Sequence, residues 1–354
     1  MTDLEKLCSR VTEAANCAVI TDDVNRRYFT AMKSSAGTLV VFPEKAYFII
    51  DFRYIEKAKK TVTACEVILQ DKLYEQINSL IEKHGAKTVS VNVDTCTLSE
   101  LIAYQQKLNA EVIADTKLAE IIREIRTVKS QEQIDKIIKA QRIAEKGFAH
   151  MLDFIKVGRT EKEIQLELDY YMLKNGAEAL SFDTIALSGS NTSLPHGVPS
   201  DKKVESGEFV LMDFGATYDG WHSDMTRTVC VGKPSDKMES VYETVLTAQL
   251  SALDAVKAGM SGKALDKIAR DIITEAGYGD NFGHSLGHGV GVEIHESPYA
   301  SPSREDILPE NSIVTVEPGI YLEGKFGVRI EDFVVVTENG CINMTKASKE
   351  LICL

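Results

Sequence analysis

Histidine residues concentrate in one short, glycine-rich stretch of a chain that is otherwise poor in histidine. The stretch GHSLGHGVGVEIHES, residues 283–297, carries His284, His288 and His295, whereas the rest of the 354 residues carries four histidines. Imidazole nitrogens bind divalent metals and exchange protons near neutral pH. The stretch is therefore interpreted as a metal site or a proton-transfer site, and an accidental cluster in a loop is the third interpretation.

Four carboxylates lie in the most apolar segments of this acidic chain. Asp213 ends the run FVLMD, and Asp224 follows it after a turn signal. Glu317 ends IVTVE, and Glu331 lies in GVRIED. Each pair is expected to project from one β-hairpin, with Asp213 and Asp224 across from each other on one face. Because burying a lone carboxylate is expensive, these acids need cations as partners.

A dinuclear metal site explains this pattern of acids. Two divalent cations balance the charge of the four carboxylates, and each carboxylate can bind one ion or bridge two. An oxygen-rich ligand set with one imidazole suits Mn²⁺ or Co²⁺, and also Zn²⁺ or Fe²⁺. The alternative, a solvated strand residue, is reasonable for any single acid but not for all of them.

The elements around the histidines should hold them at different depths. Glycines spread through the stretch disfavour a helix there. From Val290 onward apolar and polar residues alternate, which predicts a strand that carries His295. One histidine could then bind metal while another donates a proton to substrate. A further histidine, His196, lies in SGSNTSLPHGVPS, residues 188–200, whose composition is typical of a mobile loop.

The order of strand and helix signals indicates two domains. Residues 1–120 alternate β-rich and helical runs, including a predicted hairpin over 38–50, and form a small α/β domain. Residues 121–354 combine capped amphipathic helices with β-hairpins. Ser130 with Gln133 and Thr160 with Glu163 are capping-box signals that start two of these helices.

Composition excludes several classes of partner. The formal net charge of −13 argues against nucleic acid and against anionic membrane surfaces. No apolar run approaches the ~18–20 residues that span a bilayer, and the N-terminus does not look like a signal peptide. The seven cysteines are scattered without a CxxC pair, which predicts reduced thiols in a cytoplasmic protein.

The motifs taken together resemble a known family. DFG…SDMTRT, GHSLGHGVG…HE, VEPGIY and RIED occur in that order and resemble the pita-bread metallopeptidases, which include Xaa-Pro aminopeptidases, Xaa-Pro dipeptidases (prolidases) and methionine aminopeptidases. NRRYFTAMKSSAGTLVV and IDFRY resemble the creatinase-type N-terminal domain of the proline-specific members. The resemblance implies an α/β N-terminal creatinase-like domain, residues 1–120, followed by an α+β pita-bread catalytic domain, residues 121–354.

The resemblance also implies roles for individual residues. The metal ligands would be Asp213, Asp224, His288, Glu317 and Glu331. Catalysis would involve Glu317, His295 and His196, and substrate would contact His196, His284, His295 and Phe182. Arg329, which precedes the RIED acids, would support the ligands from behind.

The implied reaction is hydrolysis of the Xaa-Pro bond at a peptide N-terminus. Two divalent ions per subunit, with Mn²⁺ as the expected metal, would share a hydroxide that acts as the nucleophile. Glu317 would serve as general base, His295 would stabilise the oxyanion, and His196 would position the substrate. Members with this N-terminal domain are commonly homodimers, so a homodimer is expected.

Several related functions remain as alternatives. Dipeptidases often carry an arginine shortly after the HE pair, but here HESPYAS places Tyr299 there and Arg304 only nearby. This departure favours an Xaa-Pro aminopeptidase over an Xaa-Pro dipeptidase. A metal-free creatinase-like C–N hydrolase and a non-catalytic binding protein on the same fold are disfavoured, because such members lack the full ligand set.

Overall fold

The chain folds into two compact units. The computed structural model describes all residues from 1 to 354, and the units comprise Met1–Arg126 and Thr127–Leu354. A helix spans Lys117–Thr127, so the boundary predicted between residues 120 and 121 falls inside it.

The first unit is built on a six-stranded sheet of order β4-β3-β2-β1-β5-β6, in which β2 is antiparallel to both neighbours and the other pairs are parallel. The predicted hairpin over 38–50 is confirmed as β2 and β3. Strand β1 is buried along its whole length, as its uninterrupted apolar sequence CAVI requires. The elements are α1 Asp3–Arg10, β1 Cys17–Ile20, α2 Asp23–Thr30, β2 Thr38–Val41, β3 Ala46–Ile50, α3 Ile55–Thr61, β4 Glu66–Leu69, α4 Leu73–Lys83, β5 Thr88–Val91, α5 Leu98–Lys107, β6 Glu111–Ile113 and α6 Lys117–Thr127.

Four helices of the second unit begin at side-chain caps. Both predicted capping boxes are present, Ser130 with Gln133 and Thr160 with Glu163, and each satisfies two backbone N–H groups. The helices are α7 Gln131–Phe154, α8 Glu161–Lys174, α9 Asp236–Ala255 and α10 Gly262–Glu275. None of the helices in the chain combines the length and apolar character that crossing a membrane requires.

The strands of the second unit form several small antiparallel sheets, of which β12-β9-β8 and β15-β18-β19 contribute to the buried apolar clusters described below. The strands are β7 Ala179–Leu180, β8 Ile185–Ser188, β9 Glu208–Phe214, β10 Ala216–Tyr218, β11 Trp221–His222, β12 Met225–Val231, β13 Gly287–Gly289, β14 Glu296–Ala300, β15 Ile313–Val316, β16 Gly319–Leu322, β17 Phe326–Arg329, β18 Asp332–Thr337 and β19 Gly340–Asn343. Short 3-10 turns lie at Val11–Glu13, Gly189–Ser193 and Gly279–Asn281.

Each of the two larger sheets packs against one pair of helices. Val245 of α9 and Leu265 of α10 share a buried cluster with Val314 of β15, whereas Phe148 of α7 packs in a second cluster with Met212 of β9. Because both helix pairs bury their apolar faces against strands, the strands are held rigidly from behind. The sheets therefore give fixed positions to the side chains at their ends.

Candidate active site

All ten residues that the sequence singles out line one cavity of the second unit, with a volume of ≈ 460 Å³. They are Phe182, His196, Asp213, Asp224, His284, His288, His295, Glu317, Arg329 and Glu331. Their elements are distant in sequence, so the fold of the second unit is what brings them together.

The first hairpin contributes two acids, in a register that differs from the predicted one. Thr226 of β12, not Asp224, lies opposite Asp213 of β9. Asp224 instead sits just before β12 begins and is 4% exposed. The prediction that the two acids lie directly across from each other is therefore wrong, because the paired part of β12 starts at Met225.

The second hairpin contributes the other two acids at a break between its paired segments. Strands β15 and β18 pair up to Val316 opposite Asp332, and β16 and β17 pair from Gly319 opposite Arg329. Glu317 and Glu331 lie at this break, next to Pro318 and Ile330. Pro318 has no N–H to continue the ladder, which accounts for the interruption.

A third element places the imidazole of His288 beside these acids. His288 lies in β13, where a bulge follows it, and its Nδ1 donates to the carbonyl of Gly289 at 3.1 Å. Its Nε2 is thereby directed at the acids, 3.3 Å from Glu317 Oε1 and 3.6 Å from Asp224 Oδ2. A histidine with one nitrogen bonded to backbone and the other facing carboxylates is arranged as a metal ligand.

The donor set fits a divalent cation. One ligand atom from each of Asp224, His288 and Glu331 lies within 4.8 Å of the others. Asp213 Oδ1 and Glu331 Oε1 are buried and have no hydrogen-bond partner. Buried carboxylate oxygens are normally satisfied, so oxygens left in this state call for a cation.

The electrostatics of the acids point the same way. Burial, reinforced by repulsion from neighbouring carboxylates, raises the pKa of Asp224 and of Glu331 well above the ordinary values. Burial also raises the pKa of Asp213, although Arg329 opposes the shift. Acids held together in this way resist ionisation unless a positive charge is bound between them.

His288 and Glu317 behave as an ion pair within the cluster. Burial is the largest single influence on each pKa and alone would neutralise both groups, but the hydrogen bond between them and the attraction of nearby opposite charges together outweigh it. The pKa of His288 rises to about 9, and the pKa of Glu317 falls to about 2. Glu317 also accepts a hydrogen bond from Thr315 Oγ1 at 3.0 Å, which fixes one of its oxygens.

Arg329 ties the two hairpins together behind the acids. Its Nη2 donates to Asp213 Oδ2 at 2.6 Å and its Nε to Thr226 Oγ1 at 3.0 Å. Thr226 in turn donates to Glu331 Oε2 at 2.7 Å. Arg329 is buried, so its charge offsets the carboxylates without exposure to solvent. The arrangement fits the supporting role that the resemblance implies for Arg329.

Sequence reasoning missed Tyr321, which connects Arg329 with His284. Arg329 Nη1 donates to the Tyr321 hydroxyl at 2.8 Å, and that hydroxyl lies 2.9 Å from His284 Nε2. Because His284 Nδ1 donates to the Ser285 carbonyl, Nε2 accepts from the tyrosine. Burial raises the pKa of Tyr321 to about 12 and lowers that of His284. The alternation of Glu317, Gly319 and Tyr321 is the signal that could have indicated this residue.

His295 lies beside His288 but not in a strand. Residues 291–295 form bends, and β14 begins only at Glu296, so the predicted strand from Val290 is wrong. The Glu296 carboxylate accepts from the backbone N–H of Glu293 and fills the space that a side chain at Gly291 would need. The His295 ring stands 4.3 Å from that of His288, and burial lowers its pKa. A neutral imidazole at this wall of the cavity can donate a hydrogen bond to substrate.

The segment that carries His196 differs from the mobile loop that its composition predicts. It contains the 3-10 turn Gly189–Ser193, and its two ends are hydrogen-bonded to the rest of the unit. His196 and Phe182 line the cavity together with Pro195 and Ile185, and Ile185 of β8 is paired with Asp213 of β9. These side chains form an apolar and imidazole wall suited to an organic ligand.

The fold and the site define a class of protein. Residues 135–338 match the model of metallopeptidase family M24, and residues 5–128 match the creatinase/prolidase N-terminal domain. The chain belongs to metallopeptidase family M24, and the predicted creatinase-type N-terminal domain followed by a pita-bread catalytic domain is confirmed.

Particular relatives are similar over almost the whole chain. An Xaa-Pro dipeptidase of Pyrococcus furiosus is 39% identical over 352 residues, covering 99% of both chains. Among solved structures, an Xaa-Pro dipeptidase from Bacillus anthracis has a TM-score of 0.95 at 41% identity and 99% coverage of both chains. An X-Pro aminopeptidase from Thermotoga maritima has a TM-score of 0.91 at 37% identity, covering 98% of this chain and 100% of that one.

Proposed function

We propose that this metallopeptidase is an Xaa-Pro dipeptidase that binds two divalent ions per subunit. The observation that carries the proposal is the single cavity lined by all ten predicted residues, in a chain that matches an Xaa-Pro dipeptidase structure over 99% of its length. The sequence favoured an aminopeptidase, but the similarity to Xaa-Pro dipeptidases supports the alternative better.

The proposed metal ligands are the four acids and His288. Asp213, Asp224, Glu317 and Glu331 would supply carboxylate oxygens to hold the two ions, and His288 would supply an imidazole nitrogen. Bound divalent ions would supply Lewis acidity and lower the pKa of a water nucleophile. Mn²⁺ is the proposed metal because the set is rich in carboxylate oxygen, and Co²⁺, Zn²⁺ and Fe²⁺ accept the same donors.

The remaining residues act on the substrate. Glu317 would accept a proton as general base, since Thr315 Oγ1 fixes one oxygen of its carboxylate. His295 donates a hydrogen bond to the oxygen on which negative charge develops. His196 positions the peptide, and Phe182 provides an apolar surface for its proline ring.

A cation close to the cavity supports the recognition of a free carboxylate. Arg304 stacks on the ring of Tyr299, with its guanidinium 4.2 Å from the ring centroid, and Tyr299 lines the cavity. Arg304 is half-exposed and held mainly by Asp306, at 3.3 Å. The C-terminal carboxylate of a dipeptide would find a positive charge there. An aminopeptidase is the second candidate, favoured by the neutral Tyr299 and the similarity to the Thermotoga maritima structure.

Two substrates of different length separate these candidates. The manganese-loaded protein is assayed with Ala-Pro, with Ala-Pro-Ala and, as a control without proline, with Ala-Ala. We expect kcat/KM to be highest for Ala-Pro. A higher value for Ala-Pro-Ala would establish the aminopeptidase, and a protein that binds no metal and cleaves neither peptide would refute both.

Two further properties are part of the proposal. A cytoplasmic location is supported by the cysteines, all of which are unpaired in the structure. A homodimer is expected from the resemblance, and light scattering on the purified protein would measure it.

A further inference from the structure

A carboxylate outside the cavity is buried at the first residue of α8. Glu161 is 0% exposed, and its two oxygens accept six hydrogen bonds. The donors to Oε1 are Ser188 N at 2.7 Å, Ser188 Oγ at 3.1 Å and Asn191 Nδ2 at 3.0 Å. The donors to Oε2 are Ser200 N at 3.0 Å, Ser200 Oγ at 2.7 Å and Asn191 Nδ2 at 3.2 Å.

These donors all belong to the chain segment that carries His196. We call residues 188–200 the His196 segment. Ser188 is its first residue, Ser200 its last, and Asn191 lies in its 3-10 turn. One carboxylate therefore joins both ends of the segment and its turn, and fixes the width of the loop from which His196 reaches the cavity.

Backbone contacts extend the same attachment. The N–H groups of Glu161 and Lys162, which the helix itself leaves unpaired, donate to the carbonyls of Lys202 and Ser200 at 3.0 Å each. At the other side of the segment, Thr192 Oγ1 accepts from Gly327 N at 2.8 Å. The start of α8 and strand β17 thus hold the segment from two directions.

Stabilisation of α8 alone does not explain why the Glu161 side chain is buried. An acid in the first turn of a helix stabilises it through the helix dipole, and solvent exposure does not prevent that. Glu163 already completes the capping box of α8 while remaining at the surface. The Glu161 carboxylate is instead buried, and donors of the His196 segment satisfy both of its oxygens. Burying a charge costs free energy, and here the hydrogen bonds that offset this cost also hold the segment in place.

We propose that Glu161 is a positioning residue for His196, acting through the His196 segment. It touches neither substrate nor metal; it keeps His196 at the distance from the proposed metal ligands that the reaction requires. For its kinetic readout this inference rests on the proposed peptidase function.

The test compares Glu161→Gln with Glu163→Gln, a matched change in the same helical turn. The glutamine at 161 would turn an amide NH₂ toward serine and asparagine donors, so the segment should loosen. In hydrogen–deuterium exchange, amides of residues 188–200 should exchange faster in Glu161→Gln but not in Glu163→Gln, with metal content unchanged. This measurement requires no turnover, so it stands even if the proposed function fails.

A kinetic cycle with His196→Ala tests the link to catalysis. Glu161→Gln should lower kcat/KM on Ala-Pro about tenfold or more, because small displacements of a positioning group are costly. In the His196→Ala background the same change should have much less effect, since its target is already absent. Equal losses in both backgrounds, or unchanged exchange over 188–200, would overturn the proposal. If Glu161→Gln does not fold, Asn191→Ala, which removes only two of the six bonds, replaces it in both measurements.

Discussion

The chemistry of the site comes from oxygens that cannot be satisfied by the protein alone. Arg329 donates a hydrogen bond to one oxygen of Asp213, and Thr226 donates one to one oxygen of Glu331. The other oxygen of each acid has no hydrogen-bond partner. The hydrogen bonds therefore orient the carboxylates and leave one oxygen of each acid for a cation. The same supporting contacts explain how repelling acids can remain close together.

The pKa shifts predict how pH acts on the stability of the protein after a chelator has removed metal. Raised pKa values of Asp213, Asp224 and Glu331 mean that the folded chain retains protons that the unfolded chain releases. Stability is then lost as pH rises through the folded-state values. His288 acts in the same direction, because its contribution is complete below its ordinary value of 6.5 and is lost toward about 9.

We therefore expect the Tm of chelator-treated protein to fall between about pH 5 and pH 9, where added Mn²⁺ restores it most strongly at the alkaline end. Glu317, whose pKa is lowered to about 2, contributes stability that is lost only at strongly acidic pH, outside this window. Differential scanning fluorimetry with and without metal measures the effect. Glu331→Gln, which imitates the protonated acid, should flatten the pH dependence of the chelator-treated form. A Tm that rises with pH in that form would contradict the assignment.

Replacement of Glu317 tests the proposed base. Glu317→Gln keeps the shape of the side chain and its contact with Thr315 but cannot accept a proton, so kcat should fall by about 10²–10⁴-fold. Steady-state kinetics on Ala-Pro, at saturating Mn²⁺ and with measured metal content, gives the value. A variant that binds metal and keeps most of the wild-type rate would exclude Glu317 as general base.

The sequence predicted those site residues whose side chains can bind metal or transfer protons. Acids at the ends of apolar runs and histidines among glycines stand out without any structure. Tyr321 and Thr226 do not, because their importance lies in hydrogen bonds across strands whose register the sequence leaves open. Glu161 was hidden for a similar reason, since an acid at the start of a helix is ordinary until its burial is known.

At the scale of elements, close backbone approach determines where His288 can stand. A side chain at Gly287 would overlap the backbone carbonyl of Thr315 on the neighbouring strand β15. The hydroxyl of Thr315 also accepts from the His288 N–H at 3.0 Å. Strand β13 can therefore lie against β15 only with glycine at this position.

Gly287→Ala should accordingly push β13 outward and displace His288. We expect the apparent affinity for Mn²⁺ to fall about 10–100-fold, the range seen when support of a ligand is lost. Gly283→Ala is the matched control, because a side chain there meets no atom within 4 Å. Titration calorimetry on chelator-treated protein compares the two. Equal affinities in both variants would show that the approach of β13 to β15 does not govern the metal site.

Elements with strong local signals were predicted well, and those set by tertiary contacts were not. The capping boxes at Ser130 and Thr160 and the hairpin over 38–50 follow from local sequence. Residues 290–295 alternate like a strand, yet the bulge after His288 and the buried Glu296 carboxylate hold residues 291–295 as bends. The period of apolar residues in a sequence does not reveal that the Glu296 side chain folds back against this loop.

At the scale of the whole molecule, every proposed site residue lies in the unit Thr127–Leu354, which has its own buried clusters. Helix α6 belongs to the other unit: Ile121, Ile122 and Ile125 are buried in a cluster with residues of that unit. A fragment of the second unit that includes part of α6 would therefore expose these isoleucines to solvent, because the residues that bury them belong to the first unit.

We expect a fragment of residues 127–354 to fold and to bind the same amount of Mn²⁺ per chain as the full-length protein. It retains Lys129, whose buried Nζ donates to the Thr127 carbonyl and pairs with Glu296 at 2.7 Å beside the His295 bend. A fragment that begins at residue 121, the boundary predicted from sequence, should aggregate, because its first helical turns would expose isoleucines. Light scattering and metal analysis of the two fragments make the comparison. The result that would contradict this expectation is a shorter fragment that is unfolded, or that binds no metal although the full-length chain binds it. The second unit would then depend on the first unit for its fold.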